Sequence, residues 1–149
     1  MSEQIRLVKA TNYDELTLKV GQEREISNPR KIQNALLHED CLGYEAYIGV
    51  DKIGFALIRE FVPRQYFLWN FIIDAKYQGQ GIGKLFLKSL INKLTSEFHA
   101  EVITTTYNFG NERAKRLYEH CGFRETDIVL DDDIHEVNMI LEFQKANGG

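Results

Sequence analysis

A glycine-rich segment between an apolar run and a long amphipathic stretch is the part of the chain best suited to chemistry. It spans Phe71 to Lys84 and reads FIIDAKYQGQGIGK, with glycines at positions 79, 81 and 83. Glycine lets a backbone approach a ligand closely, and the free N–H groups and dipole of a helix start favour an anion. The segment therefore predicts an anion site, most naturally for phosphate, where a strand turns into a helix.

Two common phosphate-binding loops do not fit this spacing. A dinucleotide fingerprint, Gly-x-Gly-x-x-Gly, requires a glycine in place of Lys84 or Phe86. A Walker loop requires a glycine in place of Gln78 and a hydroxyl residue in place of Leu85. The segment does contain Gln-x-x-Gly-x-Gly, which starts at Gln78 and ends at position 83. A strand, a glycine turn and a helix also occur together without any ligand, so this motif alone leaves that alternative open.

A second motif lies later in the chain, after another predicted strand. Residues Asn111 to Phe123 read NERAKRLYEHCGF, which contains Asn-x-x-Ala-x-x-Leu-Tyr followed by Gly-Phe. Together the two motifs resemble the GCN5-related N-acetyltransferase (GNAT) family, whose glycine turn holds the pyrophosphate of acetyl-coenzyme A. The residues FIID before Tyr77, and the spacing of the predicted N-terminal helices, are most similar to the small bacterial diamine, spermidine and spermine acetyltransferases.

The resemblance implies that acetyl-coenzyme A is the cosubstrate. It implies that the main chain of residues 71–73 pairs with the pantetheine arm and that backbone amides of residues 78–84 hold the phosphates. Asn111 either contacts the coenzyme or caps its own helix, and the two roles are compatible. The predicted coenzyme-binding residues are Phe71, Ile72, Ile73, Gln78, Gly79, Gln80, Gly81, Ile82, Gly83, Lys84 and Asn111.

Tyr118 matches the position of the family's general acid. Attack of an amine on a thioester expels a thiolate, and a tyrosine with a reference pKa of about 10 can protonate it. Backbone N–H groups near Ile72 and Ile73 would stabilise the oxyanion. From spacing alone Tyr118 is instead a core aromatic residue, because it shares an apolar helix face with Ala114 and Leu117.

The general base is not identified by the sequence. A primary amine with a pKa of about 10.4 is neutral at pH 7 in only about one molecule in 2,500, so deprotonation costs about 4.6 kcal/mol. Some polyamine acetyltransferases carry an acid on the strand before the glycine turn, but Trp69 and Asn70 stand there in this chain. The acids that are candidates by position are Glu23, Glu25, Glu45 and Glu60, and none is assigned.

The predicted acceptor is a small cationic amine, with a polyamine such as spermidine or spermine favoured. The family places the acceptor near the first two helices, where Gln22, Glu23 and Glu25 lie. Two alternatives stay open. One is acetylation of a protein N-terminus, a lysine or an antibiotic; the other is a coenzyme-binding sensor without turnover. Dimers are common in the family, so a homodimer is also expected.

Composition excludes several other classes of protein. The chain has 149 residues, a net charge of −4, 44% hydrophobic residues and two cysteines. These values predict a single cytoplasmic domain over residues 1–149, without a signal peptide or membrane span. A pI near 5.6 argues against nucleic-acid binding, which needs clustered basic residues. The four histidines lie on separate segments without ligand spacing, so no metal is predicted.

The order of predicted elements is β-α-α-β-β-β-α-β-α-β-β. It predicts an α/β (α+β) fold of the GNAT type, a three-layer sandwich with a mixed, mostly antiparallel sheet and helices on both faces. One helix is expected to start at Tyr13, capped by Thr11 or Asn12, and another to follow the Asn28 cap and end near Leu37. The other predicted helices cover 82–98 and 111–120, and the predicted strands cover 5–10, 44–50, 53–60, 66–73, 101–107, 123–130 and 134–143.

Three details of these elements follow from the residues. Asp51 and Lys52 are predicted to form a hairpin turn, and the run of aspartates at 131–133 a second one. Gly122 is predicted to take the left-handed conformation after its helix. The apolar face of the long helix is predicted to consist of Ile82, Leu85, Phe86, Leu90 and Leu94.

Overall fold

Seven strands form one sheet in the computed structural model, which describes residues 4–143. The sheet order is β1-β2-β3-β4-β5-β7-β6, and every neighbouring pair is antiparallel except β4 with β5. The strands are β1 (Arg6–Ala10), β2 (Cys41–Ile48), β3 (Asp51–Val62), β4 (Gln65–Ile73), β5 (Val102–Asn108), β6 (Arg124–Asp131) and β7 (Ile134–Glu142).

Helices cover both faces of this sheet, as predicted. The helices are α1 (Pro29–Ala35), α2 (Ile82–Phe98) and α3 (Glu112–His120), and 3₁₀ turns form at Gln22–Arg24 and Ala75–Tyr77. Ile32 and Ala35 of α1 pack on one face with Phe55 and Leu57 of β3. The buried side chains of α2 and α3 pack on the opposite face. The mixed α/β sandwich with a mostly antiparallel sheet is therefore confirmed.

The sheet opens between β4 and β5. Their parallel pairing runs only from Gln65 with Val102 to Leu68 with Thr105. The Thr105 hydroxyl donates to the Leu68 carbonyl at 3.0 Å, at the last of these pairs. Beyond it, β5 continues beside β7 while residues 69–73 of β4 have no strand partner on this side within the described chain. The two strands diverge, and a cleft opens between them.

A β-bulge in β4 lies at the start of this cleft. On β3, Ile58 faces Leu68 and Leu57 faces Asn70, so Trp69 is the extra residue. A bulge changes which side chains share a face of the sheet. As a result, Trp69 is partly exposed and the Asn70 side chain is buried against the segment that precedes α1.

The helix predicted from Tyr13 is wrong. Residues 13–19 are irregular, and their backbone groups bond to other elements instead of to each other. The Tyr13 N–H donates to the Gln33 side chain at 2.8 Å, and the Thr17 carbonyl accepts from the Ala75 N–H at 2.7 Å. Tyr13 also packs on Phe55, with ring centroids 4.8 Å apart. Tertiary contacts therefore override the local helical signal.

Two smaller predictions are also corrected. The β2–β3 turn is formed by Gly49 and Val50 rather than by residues 51 and 52, because Gly49 takes the positive φ (61°) that the turn requires. The α2 bounds are confirmed, but Leu85 is 38% exposed, and Leu87, 1% exposed, takes its place on the buried face.

Candidate active site

A cavity of about 260 Å³ occupies the cleft between β4, the glycine turn, the start of α2 and α3. Gln80 and Ile82 do not line it: the Gln80 side chain is exposed and donates to the Lys76 carbonyl at 3.0 Å, whereas Ile82 is buried in the core. The other predicted coenzyme residues line it together, namely Phe71, Ile72, Ile73, Gln78, Gly79, Gly81, Gly83, Lys84 and Asn111.

The glycines of the turn serve two different purposes. Gly79 and Gly81 have positive φ angles of 76° and 80°, which favour glycine. Gly83 does not have a positive φ, and a Cβ added there would approach Ile73 and Leu117 only at ordinary distances of 3.5 and 3.9 Å. Neither its backbone nor its packing demands a glycine, so its effect is to leave the cavity wall open.

The start of α2 differs from those of the other two α-helices described. The Asn28 side chain accepts from the Arg30 N–H at α1, and the Asn111 side chain accepts from the Ala114 N–H at α3. At α2 the capping position is Gly81, which provides no side-chain cap. The first intrahelical bond is from the Leu85 N–H, so the three preceding N–H groups are available to an anion at the cavity wall.

The exposed edge of β4 offers backbone groups to the same cavity. The Asp74 N–H donates to the Ile53 carbonyl at 2.9 Å, and ladder bonds of an antiparallel pair alternate along the strand. The main chain of Ile72 therefore faces β3, and the main-chain groups of Phe71 and Ile73 face the cleft. Of the two predicted oxyanion donors, only the Ile73 N–H is on the cleft side.

Gln78 fastens the glycine turn to its surroundings. Its Nε2 donates to the Ile73 carbonyl at 2.8 Å, which occupies that acceptor on the β4 edge. Its amide also forms a reciprocal pair with the Gln22 amide, both bonds being 2.8 Å. The Arg113 guanidinium donates to the Gln78 oxygen at 2.8 Å. The first Gln of the motif thus holds three other elements in place around the cavity.

Asn111 is an N-cap, one of the two roles predicted for it. Its Oδ1 accepts from the Ala114 N–H at 3.2 Å, which fixes the start of α3. Its side-chain NH₂ makes no hydrogen bond within residues 4–143, and the residue lines the cavity.

Tyr118 lies at the innermost part of the cleft. It is 7% exposed and packs edge-on against Phe123, with ring centroids 5.6 Å apart. Burial raises the pKa of Tyr118 to about 12, the Thr105 hydroxyl opposes that rise by hydrogen bonding, and the Glu25 charge adds to it. Its phenol is therefore protonated throughout the neutral range.

A second cavity, of about 340 Å³, lies on the other side of Tyr118. Its own lining residues include Trp69 and Asn70 at the bulge, Asn108 at the end of β5, and Glu136 on β7. Six residues line both cavities, which therefore adjoin: Glu25, Ile26, Phe71, Asn111, Ala114 and Tyr118.

Residues 22–27, which we call the strap, lie along the cleft and contribute to the lining of both cavities. The strap is bonded to the glycine turn through Gln22 and Gln78. The Asn108 side chain on β5 donates to the Arg24 carbonyl at 3.2 Å. On β4, Asn70 accepts from the Ser27 N–H at 2.8 Å and donates to the Ser27 hydroxyl at 3.1 Å.

Several cavity residues were not predicted from the sequence. Leu18, Ile26 and Arg113 line the first cavity, and Leu18 belongs to the segment for which a helix was wrongly predicted. Arg113 lies at a variable position of the second motif, so only its contact with Gln78 distinguishes it.

The four candidate acids are now distinguished. Glu45 pairs with the Lys52 ammonium at 3.3 Å, and Glu60 accepts from the Arg64 N–H at 3.1 Å in the β3–β4 turn. Glu23 is exposed and lines neither cavity. Only Glu25 of these four lines the cleft.

The described part of the chain shows neither a metal-binding group of side chains nor a membrane-spanning helix. Residues 4–143 contain no cluster of three or more His, Cys, Asp or Glu side chains suited to a metal ion. No helix among them is long and apolar enough to cross a bilayer.

The class of protein follows from this fold and cleft together with a family match. Residues 10–123 match the acetyltransferase (GNAT) family, and the chain belongs to that family. The match covers the strap, β4, the glycine turn, β5 and α3, whereas Glu136 of the second cavity lies beyond it.

Two individual relatives are named as acetyltransferases. An L-2,4-diaminobutyric acid acetyltransferase from Wolinella succinogenes is 27% identical over 110 residues, which cover 73% of this chain and 63% of that protein. A spermine/spermidine N(1)-acetyltransferase from Bacillus subtilis is 34% identical over 85 residues, which cover 52% of this chain and 56% of that protein. The matches thus span less than two thirds of either relative.

The fold is confirmed by solved structures. A Bacillus subtilis acetyltransferase in complex with CoA superposes with a TM-score of 0.74 and 20% identity, and the match covers 96% of this chain and 100% of that one. At that identity the likeness establishes the three-layer fold.

Proposed function

We propose that this protein transfers the acetyl group of acetyl-coenzyme A directly to a primary amine. The observation that carries the proposal is the junction of two cavities at one buried tyrosine. On one side lie the uncapped α2 start and the free β4 edge; on the other lies a cavity with carboxylates. Such a junction suits a reaction between two substrates that enter from opposite sides.

The first cavity fits the coenzyme. The free N–H groups of Ile82, Gly83 and Lys84 are the proposed ligands of the pyrophosphate, and the Lys84 and Arg113 cations line the same cavity. The main-chain groups of Phe71 are the proposed partners of the pantetheine amides, because the Ile73 carbonyl already accepts from Gln78. The coenzyme supplies the activated acetyl thioester.

Tyr118 is the proposed general acid. Its protonated phenol gives a proton to the departing sulfur, and its pKa of about 12 keeps that proton available at neutral pH. The Ile73 N–H is the proposed donor to the developing oxyanion.

A polyamine is the acceptor we favour. The second cavity contains Glu25 and Glu136 against one cation, Arg24, so its lining carries a net negative charge. Carboxylates attract a polycation, at about 1 kcal/mol for each close pair in water and more in a shielded site. The match to the spermine/spermidine acetyltransferase is consistent with this choice.

An amino-acid diamine is the second candidate. Arg24 lines the acceptor cavity beside the two carboxylates, and a guanidinium suits the carboxylate of such a substrate. The relative named as a diaminobutyric acid acetyltransferase favours this candidate.

Coenzyme release with a panel of amines tests the proposal. The panel contains spermidine, spermine, 1,3-diaminopropane, 2,4-diaminobutyrate, a lysine peptide and an aminoglycoside, with free thiol measured after addition of acetyl-coenzyme A. We expect the highest kcat/KM with a polyamine, and N,N,N′,N′-tetramethyl-1,3-diaminopropane serves as the control that cannot form a stable amide.

Other outcomes would redirect the proposal. A preference for 2,4-diaminobutyrate favours the amino-acid candidate, and a preference for the peptide or the aminoglycoside favours another amine class. Tight coenzyme binding without release for any amine would indicate a sensor. The predicted homodimer stays a prediction, which light scattering of the purified protein tests.

A further inference from the structure

Asn70 stands at the bulge of β4, in the region where some polyamine acetyltransferases carry an acid. Both of its hydrogen bonds go to Ser27 of the strap. Asn70 is 4% exposed, so these bonds are shielded from water. The position therefore carries no charge itself, but it holds a segment that does.

Glu25 is the charged residue that this arrangement places in the cleft. The strap is fixed on both sides of Glu25. Before it, the Arg24 carbonyl accepts from Asn108, and after it, the Ser27 N–H donates to Asn70. Its own N–H donates to the Gln22 carbonyl at 2.9 Å, which closes the 3₁₀ turn. The backbone at Glu25 is thus held by contacts with three elements.

The location of Glu25 suits a group that acts on the acceptor. It lines both cavities, as Tyr118 does. Its charge acts on the phenol, adding to the rise in the pKa of Tyr118 that burial mainly causes. Its side chain is exposed in the absence of substrates, so a proton on it can pass to water.

We propose that Glu25 takes the proton from the acceptor ammonium, in place of an acid on β4. This inference rests on the proposed acetyl transfer. The carboxylate removes one ammonium proton, and the freed lone pair forms the C–N bond with the thioester carbonyl carbon. The C–S bond breaks, the sulfur leaves with the Tyr118 proton, and a second nitrogen proton restores the phenol. The proton on Glu25 then passes to water.

Asn70 is a positioning residue in this scheme. It takes part in no proton transfer of the scheme, but it fixes the strap through two buried hydrogen bonds to Ser27. An aspartate at this position would lose the donor to the Ser27 hydroxyl and place a second charge beside the cleft.

The charged and titratable groups around Glu25 come from every wall of the cleft. Two cations line the coenzyme side, one cation, one carboxylate and one phenol line the acceptor side, and a second phenol lines both. These groups are Lys84, Arg113, Arg24, Glu136, Tyr107 and Tyr118.

The test compares the pH profiles of kcat/KM for the wild type and Glu25→Gln, with the best amine of the panel. Without a base, the variant depends on free amine in solution, which increases tenfold per pH unit below the amine pKa. We expect kcat/KM to be about 100-fold below the wild type at pH 7 and within about fivefold at pH 10. Tyr118 remains protonated over this range.

Two further variants separate this role from a structural one. Glu23→Gln removes the same charge from the same turn, outside both cavities, and we expect it to match the wild type at every pH. Glu25→Asp keeps a carboxylate, and we expect it to restore part of the activity at pH 7. Both variants keep the hydrogen bonds that fix the strap.

The outcomes also separate this inference from the proposed function. A Glu25→Gln variant within threefold of the wild type at pH 7, or with a loss that does not change with pH, overturns the role of Glu25 alone. Absence of thiol release by the wild type with every amine overturns the proposed function, and this role with it.

Discussion

The two cavities that meet at Tyr118 are built in different ways. On the proposed coenzyme side, about half of the lining residues come from two short runs, 71–73 and 78–84, whose proposed role is through backbone groups. The acceptor side is made of side chains from the strap and from β4, β5, β7 and α3, among them Arg24, Trp69 and Glu136. A backbone surface depends little on side-chain identity, whereas a side-chain surface changes with each substitution. Under the proposed function, we expect the first cavity to be common to the family and the second to select the substrate.

The largest expected effect is on the coenzyme side. Gly83→Glu places a carboxylate in the cavity without backbone strain, because Gly83 does not have a positive φ. Like charges about 4 Å apart repel by about 4 kcal/mol near a protein surface, so the Kd for coenzyme should rise by up to about 1,000-fold. Calorimetric titration measures it.

Leu85→Glu is the matched control for that variant. It adds the same charge to the same helical turn, on an exposed side chain outside both cavities. We expect less than a tenfold change in Kd and no decrease in Tm, since acids near a helix start are stabilising. An equal loss of coenzyme affinity in Gly83→Glu and Leu85→Glu would show that the cavity does not hold the phosphates.

The next effect is at the junction of the two cavities. Tyr118→Phe should lower kcat by roughly ten- to a thousand-fold and leave the Kd for coenzyme nearly unchanged. Because the pKa of Tyr118 is about 12, wild-type kcat should not fall between pH 7 and 10 through loss of this proton. Steady-state kinetics over this pH range checks both statements.

Tyr66→Phe is the control for the tyrosine. Tyr66 is 3% exposed, and burial raises its pKa to about 12, but it lines neither cavity. It should keep the wild-type kcat. If Tyr118→Phe keeps it as well, Tyr118 is a core residue and not the acid.

A smaller effect is expected on the acceptor side. Asn70→Ala removes both bonds to Ser27, so the strap loosens and KM for the amine should rise about tenfold. Loss of buried hydrogen bonds should also lower the free energy of unfolding by about 1–3 kcal/mol. Ser27→Ala removes only one bond and should have a smaller effect. If the Kd for coenzyme rose by the same factor as the KM for the amine, the assignment of separate coenzyme and acceptor cavities would be contradicted.

The smallest effect is expected at Glu136. Removing one carboxylate from the acceptor cavity by Glu136→Gln costs about 1 kcal/mol of attraction, so KM for a polyamine should rise about fivefold. The difference should shrink at high salt. Asp133→Asn removes a charge from the exposed β6–β7 turn, outside both cavities, and should leave KM unchanged. A Glu136→Gln variant with unchanged KM would show that this carboxylate is not part of the acceptor surface.

The failures of sequence-based prediction lie outside the residues of the two motifs that line the cleft. The helix predicted from Tyr13 is irregular because its backbone groups bond to Gln33 and to the segment after β4. Nothing local distinguishes Glu25 from Glu23, two residues earlier on the same turn. Glu25 lies in the cleft because the strap is bonded to Asn70 and Asn108. These two residues are 43 and 84 positions along the chain from their partners on the strap, Ser27 and Arg24.

The lining of the first cavity could be predicted because its determinants are local. A strand, a turn with two glycines of positive φ, and a helix start are consecutive in the chain, so residue spacing alone predicted residues that lie together there and the family to which the chain belongs. The acceptor side required the folded chain. A β-bulge at Trp69, the divergence of β4 from β5 and the strap bonded to both strands bring distant residues together, and no periodicity of the sequence records such contacts.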